Sequence, residues 1–294
     1  MLKAIRRFAQ RNLILRKFIG YYLASSGLFD SFFKSYKMSP AWEGRISSVL
    51  ESADNAFIPR VPAAGQIVRG KQIMHNGLKI YLGSYYGPEY ATLLRANKGV
   101  HEPQEERVFM EVLKTLPVNS TMIEMGAFWS FYSLWLQKEI KNAVNYMIEP
   151  DAFNLGQGKR NFRLNKMKGV FIQAFVGKEF GNTNGAVTVS VDYLVARYAI
   201  DFIHVLHSDI QGFEYEMLVG AEKAFLEKKI GYVFISSHSN ELHYNCISFL
   251  EKKNYTIIAS ADMDESYSED GLIVARAPFV EGAESIPISK RGGK

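Results

Sequence analysis

From residue 121 onward, short apolar runs alternate with longer stretches whose apolar residues recur at helical spacing. Residues 121–125, 144–148, 170–176, 202–206 and 230–235 read as strands; 131–140, 155–164, 191–198, 214–227 and 241–252 read as the helices that follow them. Strands that alternate with helices predict a parallel sheet covered on both faces. Residues 255–260 and 272–275 are joined only by a polar, acidic loop, so they predict an antiparallel pair at one edge. The pattern begins at "HEPQEERVFMEVLKTL", where Pro103 suits the first position of a helix and acids fill its first turn.

The texture before residue 100 is different. Residues 1–40 read as helical up to Ser39-Pro40, and 42–50 as another short helix. "GQIVRGKQIMHNGLKIYLGSYYG" holds Asn76-Gly77 between two strand-like runs, a hairpin signal. The chain therefore divides into an N-terminal helical and hairpin region (1–100), an α/β domain (101–280) and a loose Gly- and Ser-rich tail (281–294).

Composition narrows the class. With 294 residues, 47% of them hydrophobic, the chain can bury one sizeable core. Its one cysteine, Cys246, excludes an intrachain disulfide and a thiolate zinc site, and a cytoplasmic location is expected. The net charge of +5 is unevenly placed: Lys3, Arg6, Arg7, Arg11, Arg16 and Lys17 occupy the start with no acid among them. Ile5, Phe8, Leu15, Phe18, Ile19 and Tyr22 fall on one side of that segment if it is helical. Such a helix packs on its own domain or on a second copy as a homodimer; the other reading is peripheral membrane contact through residues 1–20. No run approaches about 18 apolar residues, so no spanning helix is expected. Basic residues confined to one short segment, without a recognisable module, point away from nucleic acid.

In a sheet of this kind ligands bind beyond the carboxyl ends of the strands, near the reversal of strand order. The first strand ends "IEMGAFWSFYS": Gly126 permits a tight turn, Glu124 can accept hydrogen bonds, and Phe128 comes early enough to face a ligand. The second strand ends at Glu149, about where such folds hold ribose hydroxyls. The fourth ends in His207-Ser208-Asp209, which an extended chain would present to one side in alternation, so that His207 and Asp209 share a face. The fifth ends "VFISSHSNELHY", which brings His238 alongside if the strands are neighbours. Two imidazoles and a carboxylate suit a divalent ion, Mn or Fe before Mg. A metal-free acid/base role for His207, Asp209 and His238 is the alternative, and Asp209 as a mere helix cap is the plainest one. Glu214 reads as a first-turn acid that suits the helix dipole. Trp129, Phe131, Tyr132 and Trp135 read as core.

The blocks "MIEMGAFWSFYS", "MIEPDAFNLGQGKRNF", "VTVSVDYL", "HSDIQGFEYEMLVGAE" and "FISSHS" together resemble the signatures of the FkbM-type methyltransferases, over about residues 100–277. That resemblance implies a Rossmann-like, seven-stranded class I methyltransferase sheet with helices on both faces and an antiparallel edge hairpin. It implies S-adenosyl-L-methionine as cofactor and transfer to a hydroxyl of a sugar, glycan or small metabolite. By resemblance Glu124 and Gly126 flank the methionine part of the cofactor, Glu149 holds the ribose in the Glu149-Pro150-Asp151…Asn154 block, and Ala174 and Phe175 meet the adenine. The sequence departs from the family twice. Phe128-Trp129-Ser130 stands where the family's first loop has small residues and a second glycine. His207 and Ser236 stand where the family commonly has Lys and Glu. Two rivals are a nicotinamide-dependent oxidoreductase, for which no Gly-x-Gly-x-x-Gly loop follows a strand, and a non-catalytic protein docking through its basic N-terminal helix.

Overall fold

The computed structural model describes residues 26–183 and 185–292, so the basic segment at residues 1–20 lies outside the described residues. The Asn76-Gly77 hairpin is present. β1 (Ile67–Val68), β2 (Lys71–Ile73) and β3 (Lys79–Tyr81) form a small antiparallel sheet, and Gly77 takes φ +87° at its turn.

The main sheet has seven strands: β4 (Thr121–Met125), β5 (Val144–Ile148), β6 (Val170–Ile172), β10 (Ile203–Ser208), β11 (Ile230–Ser237), β12 (Thr256–Ala261) and β13 (Gly271–Arg276). Their order is β12-β13-β11-β10-β4-β5-β6. All neighbours are parallel except β13, which runs antiparallel to both β11 and β12. The chain moves outward from β4 through β5 to β6, then returns to β10 on the other side of β4. The crevice at that reversal opens between the carboxyl ends of β4 and β10.

The sheet's two faces carry separate cores, set by the two-residue period of its strands. Val205, Tyr232 and Phe234 point to one face and pack with Phe109, Phe131 and Trp135. Leu206, Val233 and Ile235 point to the other, with Val191, Met217 and Cys246. Side chains buried on both faces explain why these strands read as apolar runs rather than as alternations.

Several elements differ from the sequence reading, each for a local reason. Residues 170–176 do not form one strand: after β6 the chain leaves the main sheet, and β7 (Phe175–Val176) joins β8 (Gly181–Thr183) and β9 (Ala186–Val189) in a second small sheet. Residues 214–227 form two helices, Glu214–Val219 and Glu222–Leu226. Between them a Cβ on Gly220 would lie 2.5 Å from the Gly177 carbonyl oxygen, and Asp192 Oδ2 and Oδ1 accept from Lys223 N (3.0 Å) and Ala224 N (2.8 Å) to start the second helix.

The N-terminal region is not a separate body. Met74, Ile80, Tyr90 and Leu94 belong to the same core as Phe109 and Trp135. Nor does the described part of the tail hang loose. Ile286 is buried and its N–H donates to Ile258 O (2.7 Å), while Ser289 N and Oγ donate to the buried Asp54 (2.9 and 2.5 Å). The rest of that part is mostly exposed, so it is anchored at Ile286 and Ser289 rather than buried along its length.

Candidate active site

A cleft of about 740 Å³ lies at the carboxyl ends of β4 and β10. Gly126, first after β4, turns at φ +75° beneath the Asp209 backbone; a Cβ there would overlap the Asp209 carbonyl oxygen at 1.7 Å. Only glycine permits this approach. The following loop keeps a glycine-like backbone without glycine: Phe128 takes φ +35° and Ser130 φ +61°. Bulky residues hold these left-handed positions at a local cost in strain. Gly158, in the helix Ala152–Leu164, accommodates the same loop, since a Cβ would meet Ser130 Oγ at 2.3 Å.

Glu149, immediately after β5, is buried at the cleft wall. Its carboxylate accepts from Phe128 N (3.3 Å) and Asp151 N (2.9 Å), so it ties the β4 loop to the β5 loop. Burial raises its pKa, and these backbone donors counter part of the rise. Glu124, the penultimate residue of β4, is buried, accepts from Ser133 N (3.3 Å) and is pushed up by burial to about 7. Asn154 and Phe175 line the cleft; Ala174 is buried and does not, because the chain turns it into the second core as it leaves the sheet. A cleft of this size, a turn that no side chain can fill and a buried acid about twenty residues on fit S-adenosylmethionine.

The expected grouping of His207 with Asp209 and His238 is corrected by the structure. β10 runs to Ser208, two residues further than its apolar run indicates, so His207 is still inside the sheet. Its ring packs 4.5 Å from Tyr132, and its Nε2 lies 2.6 Å from Glu105 Oε1. Burial opposes a charge there, but Glu105 outweighs it and raises the His207 pKa. Ser236 Oγ donates to the other oxygen of Glu105 at 3.2 Å. His207 and Ser236, the pair read as departing from the family's Lys and Glu, thus share one carboxylate, supplied from the helix Pro103–Leu113. Its first-turn acids are buried rather than solvated. Glu106 and Glu102 hold His101 at 2.6 and 3.1 Å and, against its burial, push it up to about 10.

Asp209 turns away at the strand end and meets other partners. His238, just past β11, places Nε2 3.3 Å from Asp209 Oδ1 and 3.4 Å from Asp270 Oδ1, and Nδ1 2.8 Å from Glu214 Oε1. His238 is not part of the cleft wall; it stands behind Asp209, which is. Burial opposes its charge, but Asp209, Glu214 and Asp270 together push it up to about 10. Asp270 is itself raised to about 7, first by burial and then by the Asp209 carboxylate. Asp209, His238 and Asp270 each offer a ligand atom, all within 4.8 Å of one another. Glu214 is more than a dipole partner: fully buried, its Oε1 also accepts from Ile210 N and Gly212 N, both at 3.2 Å, and so shapes the turn that presents Asp209. His204 and His243 sit away from the site. His204 Nδ1 accepts from Thr121 N, and His243 lies between Ser237 and Ser260.

Glu105 and Asp270 are polar residues of the site that the sequence did not single out, and Glu214 was read only as a dipole partner. The spacing from Asp209 to Glu214 offered a weak signal, but nothing local marked the other two. Among the described residues no helix is long and apolar enough to cross a membrane.

No curated protein matches the chain. Among solved structures it is similar to the M. capricolum TrmK protein in complex with S-adenosyl-homocysteine, at 15% identity and TM-score 0.43, over 59% of this chain and 69% of that one. It is also similar to precorrin-6y C5,15-methyltransferase from Geobacter metallireducens GS-15, at 13% identity and TM-score 0.40, over 58% and 89% of the two chains. A third is an rRNA methylase from Streptococcus thermophilus, at 9% identity and TM-score 0.42, over 59% and 95%. The model of the methyltransferase FkbM domain matches residues 96–257, more than half of the chain, which therefore belongs to the FkbM family of S-adenosylmethionine-dependent methyltransferases.

Proposed function

We propose that this methyltransferase transfers its methyl group to oxygen, on a hydroxyl of a sugar, glycan or small metabolite. The observation that supports this reading is the position of Asp209. It stands at the crevice beside Gly126, with one carboxylate oxygen oriented by His238 (3.3 Å) and by the Gln211 side-chain amide (3.1 Å). S-adenosylmethionine supplies a sulfonium methyl that is already activated. What remains for the protein is to align a hydroxyl and take its proton, and a carboxylate held by fixed donors does both. Gly126, Glu124 and Glu149 would hold the cofactor, and Phe128 and Phe175 would exclude water from it. The test is label transfer from S-adenosylmethionine to a library of hydroxylated compounds, with the linkage read by mass spectrometry. Label recovered on nitrogen or carbon alone would sink the assignment to oxygen. Asp209→Asn should cut kcat while leaving S-adenosylhomocysteine affinity within about twofold.

A second reading is favoured by the surplus of carboxylates around one imidazole. Asp209, His238 and Asp270 would hold a divalent ion, with Glu214 orienting His238 from behind. Two oxygens and one nitrogen suit Mg²⁺ or Mn²⁺ better than Fe²⁺. Such an ion would lower the pKa of a bound hydroxyl. Full activity after exhaustive chelation would exclude it.

A further inference from the structure

A second cavity, of about 510 Å³, adjoins the cofactor cleft. The two share a wall: Tyr85, Tyr86, Asp209 and Gln211 line both. The remaining wall comes from outside the sheet. Trp42 and Arg45 lie on the helix Pro40–Glu51, Glu89 and Tyr90 on the helix Pro88–Ala96, and Glu269 and Asp270 just before β13.

The chemistry of this lining is selective. Four carboxylates, of Glu89, Asp209, Glu269 and Asp270, line the cavity with a single guanidinium, and the His238 imidazole stands behind Asp209 and Asp270 at 3.3 and 3.4 Å. That guanidinium is already engaged. Arg45 pairs with Glu269 at 2.5 Å, donates to the Tyr90 hydroxyl and lies over the Trp42 and Tyr90 rings at 4.6 and 4.8 Å. No uncommitted cation in the lining could receive a phosphate or carboxylate. A divalent ion on Asp209 and Asp270 would still leave four carboxylates against three positive charges. Hydroxyls, in contrast, would find acceptors on every side.

Aromatic surface completes the chamber. Tyr86 is 55% exposed although its neighbours Tyr85 and Tyr90 are buried, and it sits at φ +43° ahead of Gly87 at φ +87°. Its ring is braced 5.3 Å from Tyr90 and 4.9 Å from Phe128. A strained, exposed and braced ring at the junction of two cavities is a platform for the C–H face of another ring.

We propose that the second cavity holds the methyl acceptor and selects an uncharged hydroxylated ring, of the glycosyl class, over its phosphorylated counterpart. This rests on the reading of Asp209 as the point of transfer, and it assigns acceptor choice to residues 40–90 together with the loop before β13.

The test is saturation-transfer NMR on the full chain saturated with S-adenosylhomocysteine. The probes are neutral methyl hexosides, the matching hexose 1-phosphates and uridine-diphosphate hexoses. Neutral hexosides should bind about tenfold or more tighter than the phosphorylated probes. Trp42→Ala should weaken them about tenfold, with S-adenosylhomocysteine affinity unchanged as the check on folding. Glu269→Lys, an exposed change, should admit the phosphorylated probes. Equal or tighter binding of phosphorylated probes to the unaltered chain, or no response from any neutral hexoside, would overturn the proposal. Because the readout is binding, it is independent of the atom that receives the methyl; the assignment to oxygen stands or falls on the product linkage.

Discussion

A Cβ at position 126 would stand 1.7 Å from the carbonyl oxygen of Asp209, so the chain leaving β4 and the chain leaving β10 pass too close for any side chain between them. The backbone N–H of Asp209 fixes the same junction by donating to Met125 O at 2.9 Å. Gly126→Ala therefore meets both an overlap and a positive φ, and should cost at least about 2 kcal/mol. Thermal unfolding would show the loss, and S-adenosylhomocysteine titration should find little or no binding. Unchanged cofactor affinity in Gly126→Ala would mean that the cleft is not the cofactor site.

Gly158 offers a test whose sign is unusual. In the interior of a helix, Gly→Ala ordinarily stabilises by roughly 0.5–1 kcal/mol. Here the added Cβ would meet Ser130 Oγ at 2.3 Å, and the change should destabilise instead. Ser130→Gly in the same chain removes the obstacle and relieves the φ of +61°. The double variant should recover the stability lost by the single one, as read from denaturant midpoints.

Glu149→Gln keeps the shape of the side chain but removes its charge. It should weaken S-adenosylhomocysteine binding about tenfold by calorimetry while leaving the thermal midpoint within a few degrees. A midpoint that collapses without loss of affinity would make Glu149 a loop tie and nothing more.

Removal of Glu105 strands two partners at once, His207 and Ser236. Glu105→Ala should cost about 3–5 kcal/mol, as expected for an ion pair broken inside a protein. Introducing His207→Lys and Ser236→Glu together with Glu105→Gln rebuilds the pair common in the family. That triple variant should regain most of the loss in a denaturant titration; no recovery would mean that Glu105 does not stand in for the family's acid.

His101 makes a prediction in pH. Its folded pKa, about 10, lies above the usual value of 6.5, so the folded state holds an extra proton between those limits. The stability it contributes is complete below about pH 6.5 and is lost as pH rises through about 10. The unfolding midpoint should therefore fall between pH 7 and 10, and His101→Gln should flatten that part of the curve.

The strand framework was legible because burial on both faces leaves a continuous apolar run. β4 and β5 begin and end where those runs do. Gly126 and Glu149 were legible for a related reason: they are the first residues after such runs, whereas Asp209 comes first after β10 but three residues after its apolar run. His207 was misplaced because the end of an apolar run is not the end of backbone pairing, and β10 continues through His207 and Ser208. Glu105 was missed because helical spacing says which residues share a face, not which acids of a first turn find a buried base 102 positions away. The Phe128–Ser130 loop was readable only as a departure, since its left-handed backbone belongs to residues that rarely adopt it.

Asp54 links the N-terminal region to the far end of the described chain, and that has a consequence for how the protein is made. Its carboxylate is satisfied by Arg107 at 2.5 Å and by Ser289, which is synthesised 235 positions later. At ordinary translation speeds this delay is roughly 10–50 s. Throughout it Asp54 lacks its partner on Ser289, and for most of it β13, which joins β12 to β11, has not yet been made. The N-terminal region therefore cannot close this contact until the residues around Ser289 have been made, and until then the buried Asp54 has only Arg107 as its charged partner.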